Sequence, residues 1–211
     1  MGYMVNLTLD GRAALVVGGG EIARRKVEDL LAAKARVTVV APQISAGIVA
    51  LAAQAGVRAH ARPYQSLDIR DCAVVIAATD DEELNAQVAR DCISRNILVN
   101  VVDRPALCTF TVPATVHRGN LTIAIATEGL SPAFSGILRE ELEGRYGPEY
   151  GSLVELFGDL RKKMIAAGWK GTEIREKLAM LYRDGIIELL NDGSRLREFL
   201  GSKLGAEILV M

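Results

Sequence analysis

Short apolar runs alternate with stretches of helical periodicity through the first half of the sequence, and no other feature restricts the fold as much. The fourth run, 73–78, is continuous and apolar, which is typical of a parallel strand that helices cover on both faces. The helical stretches are 23–34, 44–55 and one that ends near 94. This alternation predicts an α/β fold with a doubly wound parallel sheet. The predicted strands are 13–17, 36–41, 57–62, 73–78 and 98–102.

The turn after the first predicted strand consists of glycine. Gly18-Gly19-Gly20-Glu21-Ile22-Ala23 fits the pattern G-x-G-x-x-A and stands between a strand and a helix. In that context the first glycine permits a tight turn, the second lets the backbone approach a pyrophosphate, and Ala23 keeps helix and strand close. The amides at the helix N-terminus then face the phosphates. We therefore predict a Rossmann-type dinucleotide-binding domain at 1–112, with Gly18, Gly19 and Gly20 in its cofactor loop.

Two further segments end predicted strands of the same sheet. Residues 77–80 close the fourth strand and residues 100–103 close the fifth. Ligands of open α/β sheets bind at the carboxyl ends of strands, near the point where the strand order reverses. The residues expected to contact the dinucleotide are Thr79, Asp80, Asn100 and Val102. Asp103 is a candidate catalytic carboxylate, because a chain reversal follows it; the alternative is an aspartate that only begins a turn.

The residues near the second strand leave the choice between NAD and NADP open. Many NAD-binding domains place an acidic residue at the end of that strand to hold the ribose hydroxyls. Here the segment 40–43 reads Val-Ala-Pro-Gln, so backbone groups or Gln43 are the alternatives. Nearby, Arg24, Arg25 and Lys26 either pair with a 2′-phosphate or form a solvated helix face.

The alternation stops after residue 105. Residues 110–113 and 121–126 read as two more strands, and Ser131-Pro132 opens a helix with a capping serine and a proline in its first position. From 148 onward, apolar residues recur at helical spacing. We predict a strand–helix unit at 113–147, too small to close a core alone, and a helical C-terminal domain at 148–211.

Composition argues against several classes of protein. There are 25 Lys plus Arg against 26 Asp plus Glu, so the basic excess of a nucleic-acid-binding protein is missing. His60 and His117 are the only histidines, which disfavours a histidine-rich metal site. No uncharged apolar run approaches the roughly 20 residues of a membrane helix, and the N-terminus lacks the layout of a signal peptide. The separated Cys72, Cys92 and Cys108 predict reduced thiols and a soluble cytoplasmic protein.

Together these segments resemble the precorrin-2 dehydrogenases of siroheme synthesis. The likeness runs through Gly11-Arg12 and 15–26, includes the strand ends described above, and continues through Phe110-Thr111-Val112-Pro113-Ala114 into the segment 127–133, Thr-Glu-Gly-Leu-Ser-Pro-Ala. It covers about residues 5 to 147. The family implies a homodimer that oxidises precorrin-2 to sirohydrochlorin with NAD, and its essential aspartate matches Asp103.

The resemblance also implies site residues. The family's cofactor contacts match Glu21, Ile22, Pro42 and Gln43, which favours NAD and accounts for the missing acidic residue. Some relatives carry a serine near the tetrapyrrole, and Thr127 occupies that position here. A polycarboxylate tetrapyrrole requires cationic partners. The candidates among the arginines are Arg104, Arg118 and Arg139.

Some points stay open at this stage. Certain relatives also insert iron, to which Asp103 and His117 are possible contributors here; others carry a fused methyltransferase, for which this chain has no room. Two other functions keep the same fold: a non-catalytic NAD-sensing module, and a dehydrogenase of another small metabolite. The sensing module has no need for Asp103 or for residues 127–133, and it usually shows an acidic residue after the second strand.

Overall fold

A parallel sheet forms the centre of the first half of the chain. In the computed structural model, which describes residues 2–205, its five strands are β1 (Ala13–Val17), β2 (Arg36–Ala41), β3 (Arg58–Ala61), β4 (Val74–Ala77) and β5 (Leu98–Val101). All neighbours run parallel in the order β3-β2-β1-β4-β5. The order reverses between β1 and β4, so the predicted doubly wound α/β fold is confirmed.

Helices cover both faces of this sheet. They are α1 (Glu21–Ala32), α2 (Ala46–Ala55) and α3 (Glu82–Ser94). Alternate residues of β1 point to opposite faces, as strand geometry requires. Ala14 and Val16 pack in one cluster with residues of α1 and α2, whereas Leu15 and Val17 pack in another with residues of α3. The continuous apolar run of β4 is therefore buried on both sides.

The predicted strand at 110–113 is wrong. Val99 of β5 donates its backbone N–H to the hydroxyl of Thr109, while the N–H of Thr109 donates to the Val99 carbonyl, at 2.8 and 2.9 Å. The Thr109 side chain thus replaces a backbone group as one hydrogen-bond partner of β5, and residues 110–113 do not form a strand. Pro113 has no N–H to offer a sheet. The next strand, β6, begins one residue later and spans Ala114–Arg118.

The second half is a separate unit that begins at Pro113. Strand β6 pairs antiparallel with β7 (Leu121–Ile125). Four helices follow within the described residues: α4 (Pro132–Arg145), α5 (Glu149–Ala166), α6 (Gly171–Arg183) and α7 (Gly193–Leu204). The predicted cap of α4 is present, since the Ser131 hydroxyl accepts from the N–H of Phe134 at 3.4 Å.

The helical periodicity after residue 148 produces a core of its own. Its fully buried members include Met164, Leu181 and Ile186. A close contact ties the β6–β7 turn to α5, because a Cβ on Gly151 would lie 2.8 Å from the Arg118 carbonyl oxygen. The division of this unit at 147/148 stays a prediction, and residues 206–211 of the predicted helical domain lie outside the described part. Over residues 2–205, no helix has the length and apolarity needed to cross a bilayer.

The thiols of the described chain are all free. Cys92 is buried, and Cys72 and Cys108 are half-buried. Burial raises the pKa of Cys92 to about 12 and that of Cys72 to about 11, so both remain protonated and unreactive near neutral pH.

Candidate cofactor and substrate site

The loop after β1 passes between two other backbone segments. A Cβ on Gly18 would lie 2.2 Å from the Ala78 carbonyl oxygen, and one on Gly19 would lie 1.8 Å from the Gln43 carbonyl oxygen. Gly18 also has a φ of +132°, where other residues are strained. These two glycines are therefore required by the protein's own packing at the carboxyl edge of the sheet.

Gly20 differs from its neighbours because a Cβ there would meet nothing within 4 Å. As the N-cap of α1 it offers no side chain, so the first-turn amides of α1 have no side-chain cap. In contrast, Asp81 caps α3 by accepting from the N–H of Leu84 at 3.0 Å. An uncapped helix start behind an open glycine fits a pyrophosphate group, which the amides and the helix dipole would hold.

Glu21 and Arg24 form an ion pair on the first turns of α1. Arg24 donates to both carboxylate oxygens of Glu21, at 2.9 and 2.5 Å, and also to Glu28. The guanidinium beside it lowers the pKa of Glu21. Arg24 is thus engaged by two carboxylates, which disfavours the 2′-phosphate role considered for it. Pro42 and Gln43, at the end of β2, are exposed.

The loop after β4 is anchored by a residue that the sequence analysis missed. Asn85 on α3 is buried and donates to the Thr79 carbonyl at 2.9 Å, while the Thr79 hydroxyl donates to the Asn85 side-chain oxygen at 2.8 Å. Asp80, next in the loop, is exposed. The sequence did contain a sign of this role, because Asn85 lies on the same helix face as the apolar Val88 and Cys92.

The end of β5 contains the candidate catalytic residue. Asp103 is exposed and adopts a left-handed backbone with φ 58°, a conformation that aspartate tolerates better than most residues. Its carboxylate has no hydrogen bond or ion pair with any residue in 2–205. Asn100 differs, since its amide donates to the Phe110 carbonyl at 3.1 Å and so pins the following segment. Val102 is half-buried beside Asp103.

A cavity of about 440 Å³ lies beside Asp103. One wall is α1 and the other is the end of β5. Its lining residues are Ile22, Arg25, Lys26, Glu28, Asp29, Val102 and Asp103. The structure therefore brings Ile22, Val102 and Asp103 together.

The three arginines predicted to bind substrate all have partners within the protein. Arg104 pairs with Glu82. Arg118 donates to the carbonyls of Tyr146 and Glu143 at 2.7 and 3.0 Å, which caps the end of α4. Through these hydrogen bonds Arg118 stabilises the C-terminal end of α4.

The remaining predicted residues lie around α4. Arg139 pairs with Glu143 at 2.6 Å. The Thr127 hydroxyl lies 3.1 Å from that of buried Ser135 and accepts from the N–H of Ser131 at 3.3 Å. Because Arg118 pairs with Leu121 at the hairpin turn, it lies at the opposite end of β6–β7 from Thr127.

Metal ligands do not cluster in the described part of the chain. Within residues 2–205, no group of three or more His, Cys, Asp or Glu side chains is arranged to hold a metal ion. The Nδ1 atom of His117 lies 3.0 Å from the Thr122 hydroxyl on the neighbouring strand.

Family models, curated proteins and solved structures match this chain. A family model described as NAD(P)-binding matches residues 5–114, and one described as sirohaem biosynthesis protein central matches residues 118–145. The siroheme synthase of Pseudomonas entomophila is 46% identical over 158 residues, 75% of this chain and 34% of the relative. That of Thioalkalivibrio sulfidiphilus is 39% identical over 192 residues, 90% of this chain and 39% of the relative. The chain thus spans little more than a third of the length of these relatives.

A solved structure matches over nearly its whole length. SirC, a precorrin-2 dehydrogenase, is 30% identical with a TM-score of 0.77, and the match covers 95% of this chain and 98% of that one. The first unit, with its open glycine loop, is an NAD(P)-binding domain. From these matches and the shared fold, the chain belongs to the precorrin-2 dehydrogenase and siroheme synthase family.

Proposed function

We propose that this chain oxidises precorrin-2 to sirohydrochlorin with NAD. The observation that carries the proposal is the match to a precorrin-2 dehydrogenase over 98% of that protein's length. In the reaction the tetrapyrrole loses one hydride and one proton, giving sirohydrochlorin, NADH and H⁺. Family membership disfavours the non-catalytic sensing module and the dehydrogenase of an unrelated metabolite.

The residues around the glycine loop have distinct tasks in this proposal. The amides of the first turn of α1 bind the pyrophosphate behind Gly20, with Glu21 and Ile22 beside them. Thr79, held by Asn85, and the exposed Pro42 and Gln43 contact the rest of the dinucleotide. When bound, NAD supplies the acceptor for the hydride.

Asp103 is the proposed catalytic residue. Its carboxylate is exposed and free of partners in the described chain, so it is available to take the proton that leaves the macrocycle. Thr127 remains a candidate contact to the tetrapyrrole in the second unit. Iron insertion stays a prediction from the resemblance.

The activity is tested with purified protein, precorrin-2 and NAD under anaerobic conditions. We expect NADH and sirohydrochlorin, each followed by its absorbance, to form in equal molar amounts. We expect a much slower rate with NADP, because Arg24 is engaged by Glu21 and Glu28. Binding of NAD without any turnover of precorrin-2 would contradict the proposal and favour the sensing module.

We further propose a homodimer in the cytoplasm. Large apolar side chains are exposed at the start of α4: Phe134 and Ile137, which share a helix face, are 50% and 60% exposed, and Leu130, just before the helix, is 90% exposed. Exposed apolar patches of this kind commonly mark protein interfaces. Free thiols support a reducing compartment.

The dimer is tested by Ile137→Glu, since a buried charge at an interface without a partner is strongly unfavourable. We expect analytical ultracentrifugation to show a dimer for the native protein and a monomer for this variant. Ile93→Glu is the control, because Ile93 on α3 is a similarly exposed isoleucine, at 52%. A native monomer, or an equal effect of both variants, would contradict the assignment of this face.

A further inference from the structure

The cavity beside Asp103 is lined by a cation, Arg25, that forms no hydrogen bond or ion pair in the described part of the chain. Arg25 is exposed, and its guanidinium makes no hydrogen bond and no ion pair with any residue in 2–205. The other charged groups of the α1 wall are already engaged: Lys26 lies 3.6 Å from Asp29, and Glu28 pairs with Arg24. The cavity therefore presents one available guanidinium and one available carboxylate, those of Arg25 and Asp103.

The helix sets this position. Ala23, Val27 and Leu30 are buried against the sheet, which fixes the rotation of α1. Residues three and four apart share a helix face, so Ile22, Arg25 and Asp29 line the cavity together. Glu21, one turn before Arg25, is occupied by Arg24, although Arg25 also helps to lower the pKa of Glu21.

A guanidinium in such a place suits a carboxylate of the ligand. Its planar fork of donors matches a carboxylate with two parallel hydrogen bonds. The three arginines predicted from the sequence to serve this purpose all have internal partners, whereas Arg25 has no hydrogen bond or ion pair within residues 2–205. The volume of about 440 Å³ falls within the range of small-molecule pockets.

We propose that Arg25 binds a carboxylate side chain of the tetrapyrrole and so orients the macrocycle against Asp103. The proposal rests on the proposed dehydrogenase function and adds a substrate-binding residue to that site. Lys26 adds positive charge on the same wall. The competing role for Arg25 is a contact to a phosphate of the dinucleotide, although Arg25 lies a full turn beyond Gly20.

The test uses sirohydrochlorin as the probe, with the full chain saturated with NAD. Binding is followed by the fluorescence of the tetrapyrrole in the native protein and in Arg25→Gln. We expect the Kd for sirohydrochlorin to rise about tenfold to a hundredfold, since a charge-assisted hydrogen-bonded pair is lost. The Kd for NAD should not change. Arg25→Lys should fall between the two, because it keeps the charge and loses the fork.

Arg90→Gln is the matched control, because Arg90 is an exposed arginine on α3 outside the cavity. It should bind sirohydrochlorin and NAD as the native protein does. The proposal is overturned if Arg25→Gln binds sirohydrochlorin normally, if its NAD affinity falls to the same extent, or if the native protein does not bind sirohydrochlorin.

The probe also separates this inference from the proposed activity. Sirohydrochlorin binding needs no turnover. If the protein binds sirohydrochlorin through Arg25 but does not oxidise precorrin-2, the carboxylate site is supported and the proposed dehydrogenase activity is contradicted. If the native protein oxidises precorrin-2 and Arg25→Gln binds sirohydrochlorin normally, the carboxylate site is contradicted and the dehydrogenase activity is supported.

Discussion

Asp103→Asn is expected to lower kcat/KM for precorrin-2 by at least about a hundredfold, the usual contribution of a general base. Asparagine has nearly the same shape and also tolerates the left-handed backbone at φ 58°, so the turn after β5 should survive. An amide cannot take up the proton, however. Anaerobic initial rates of NADH formation, measured with NAD saturating, give the comparison. The Kd for NAD should stay at its native value.

The control for this substitution is Asp71→Asn. Asp71 is also an exposed aspartate with a left-handed backbone, at φ 63°, but it precedes β4 at the other edge of the sheet. Any cost of placing asparagine in this conformation appears in both variants, whereas the loss of a base appears in one. Near-native turnover by Asp103→Asn would exclude proton transfer by this carboxylate and leave it an orienting role.

Gly19→Ala is expected to destabilise the protein by at least about 3 kcal/mol and to abolish NAD binding. Its Cβ would fall 1.8 Å from the Gln43 carbonyl oxygen and 3.0 Å from the Ala41 Cβ. Backbone cannot move aside as a flexible side chain can, so the cost lies at or above the usual range for overpacking. Urea unfolding measures the stability, and titration with NADH measures the affinity.

Gly20→Ala separates packing from binding in the same loop. Its Cβ would meet nothing within 4 Å, and Gly20 has an ordinary φ of −86°. We expect its stability to stay within about 1 kcal/mol of native, while NAD affinity falls because the methyl group occupies the approach to the pyrophosphate. Equal stability for Gly19→Ala and Gly20→Ala would show that the loop relaxes and that the close approach to Gln43 is not obligatory.

The sheet was predictable because its signal is local. Apart from β3, which reads Arg-Ala-His-Ala, the strands of the first unit are short and mainly apolar, and β1 and β2 have the predicted bounds. The error at 110–113 arose where a side chain, the Thr109 hydroxyl, replaces a backbone partner. The pattern of apolar residues does not reveal where a side chain takes the place of a backbone hydrogen-bond partner.

The roles of Arg104 and Arg118 were less predictable because their partners are distant in sequence. Arg104 meets Glu82, and Arg118 meets carbonyls at the end of α4. Only the folded chain shows which guanidinium groups already have hydrogen-bond partners. Arg25 was considered in the sequence as a phosphate ligand, whereas the rotation of α1 places it in the wall of the cavity beside Asp103.

The pairing of Asn85 with Thr79 has a consequence for the thermodynamics of cofactor binding. Two reciprocal hydrogen bonds and the Asp81 cap hold the segment after β4 in one conformation before any ligand arrives. The entropy of ordering that segment is lost during folding, not during association. For the proposed site, we therefore expect dinucleotide binding to lose little free energy to ordering of this loop, and we expect Asn85 to affect the affinity without touching the ligand.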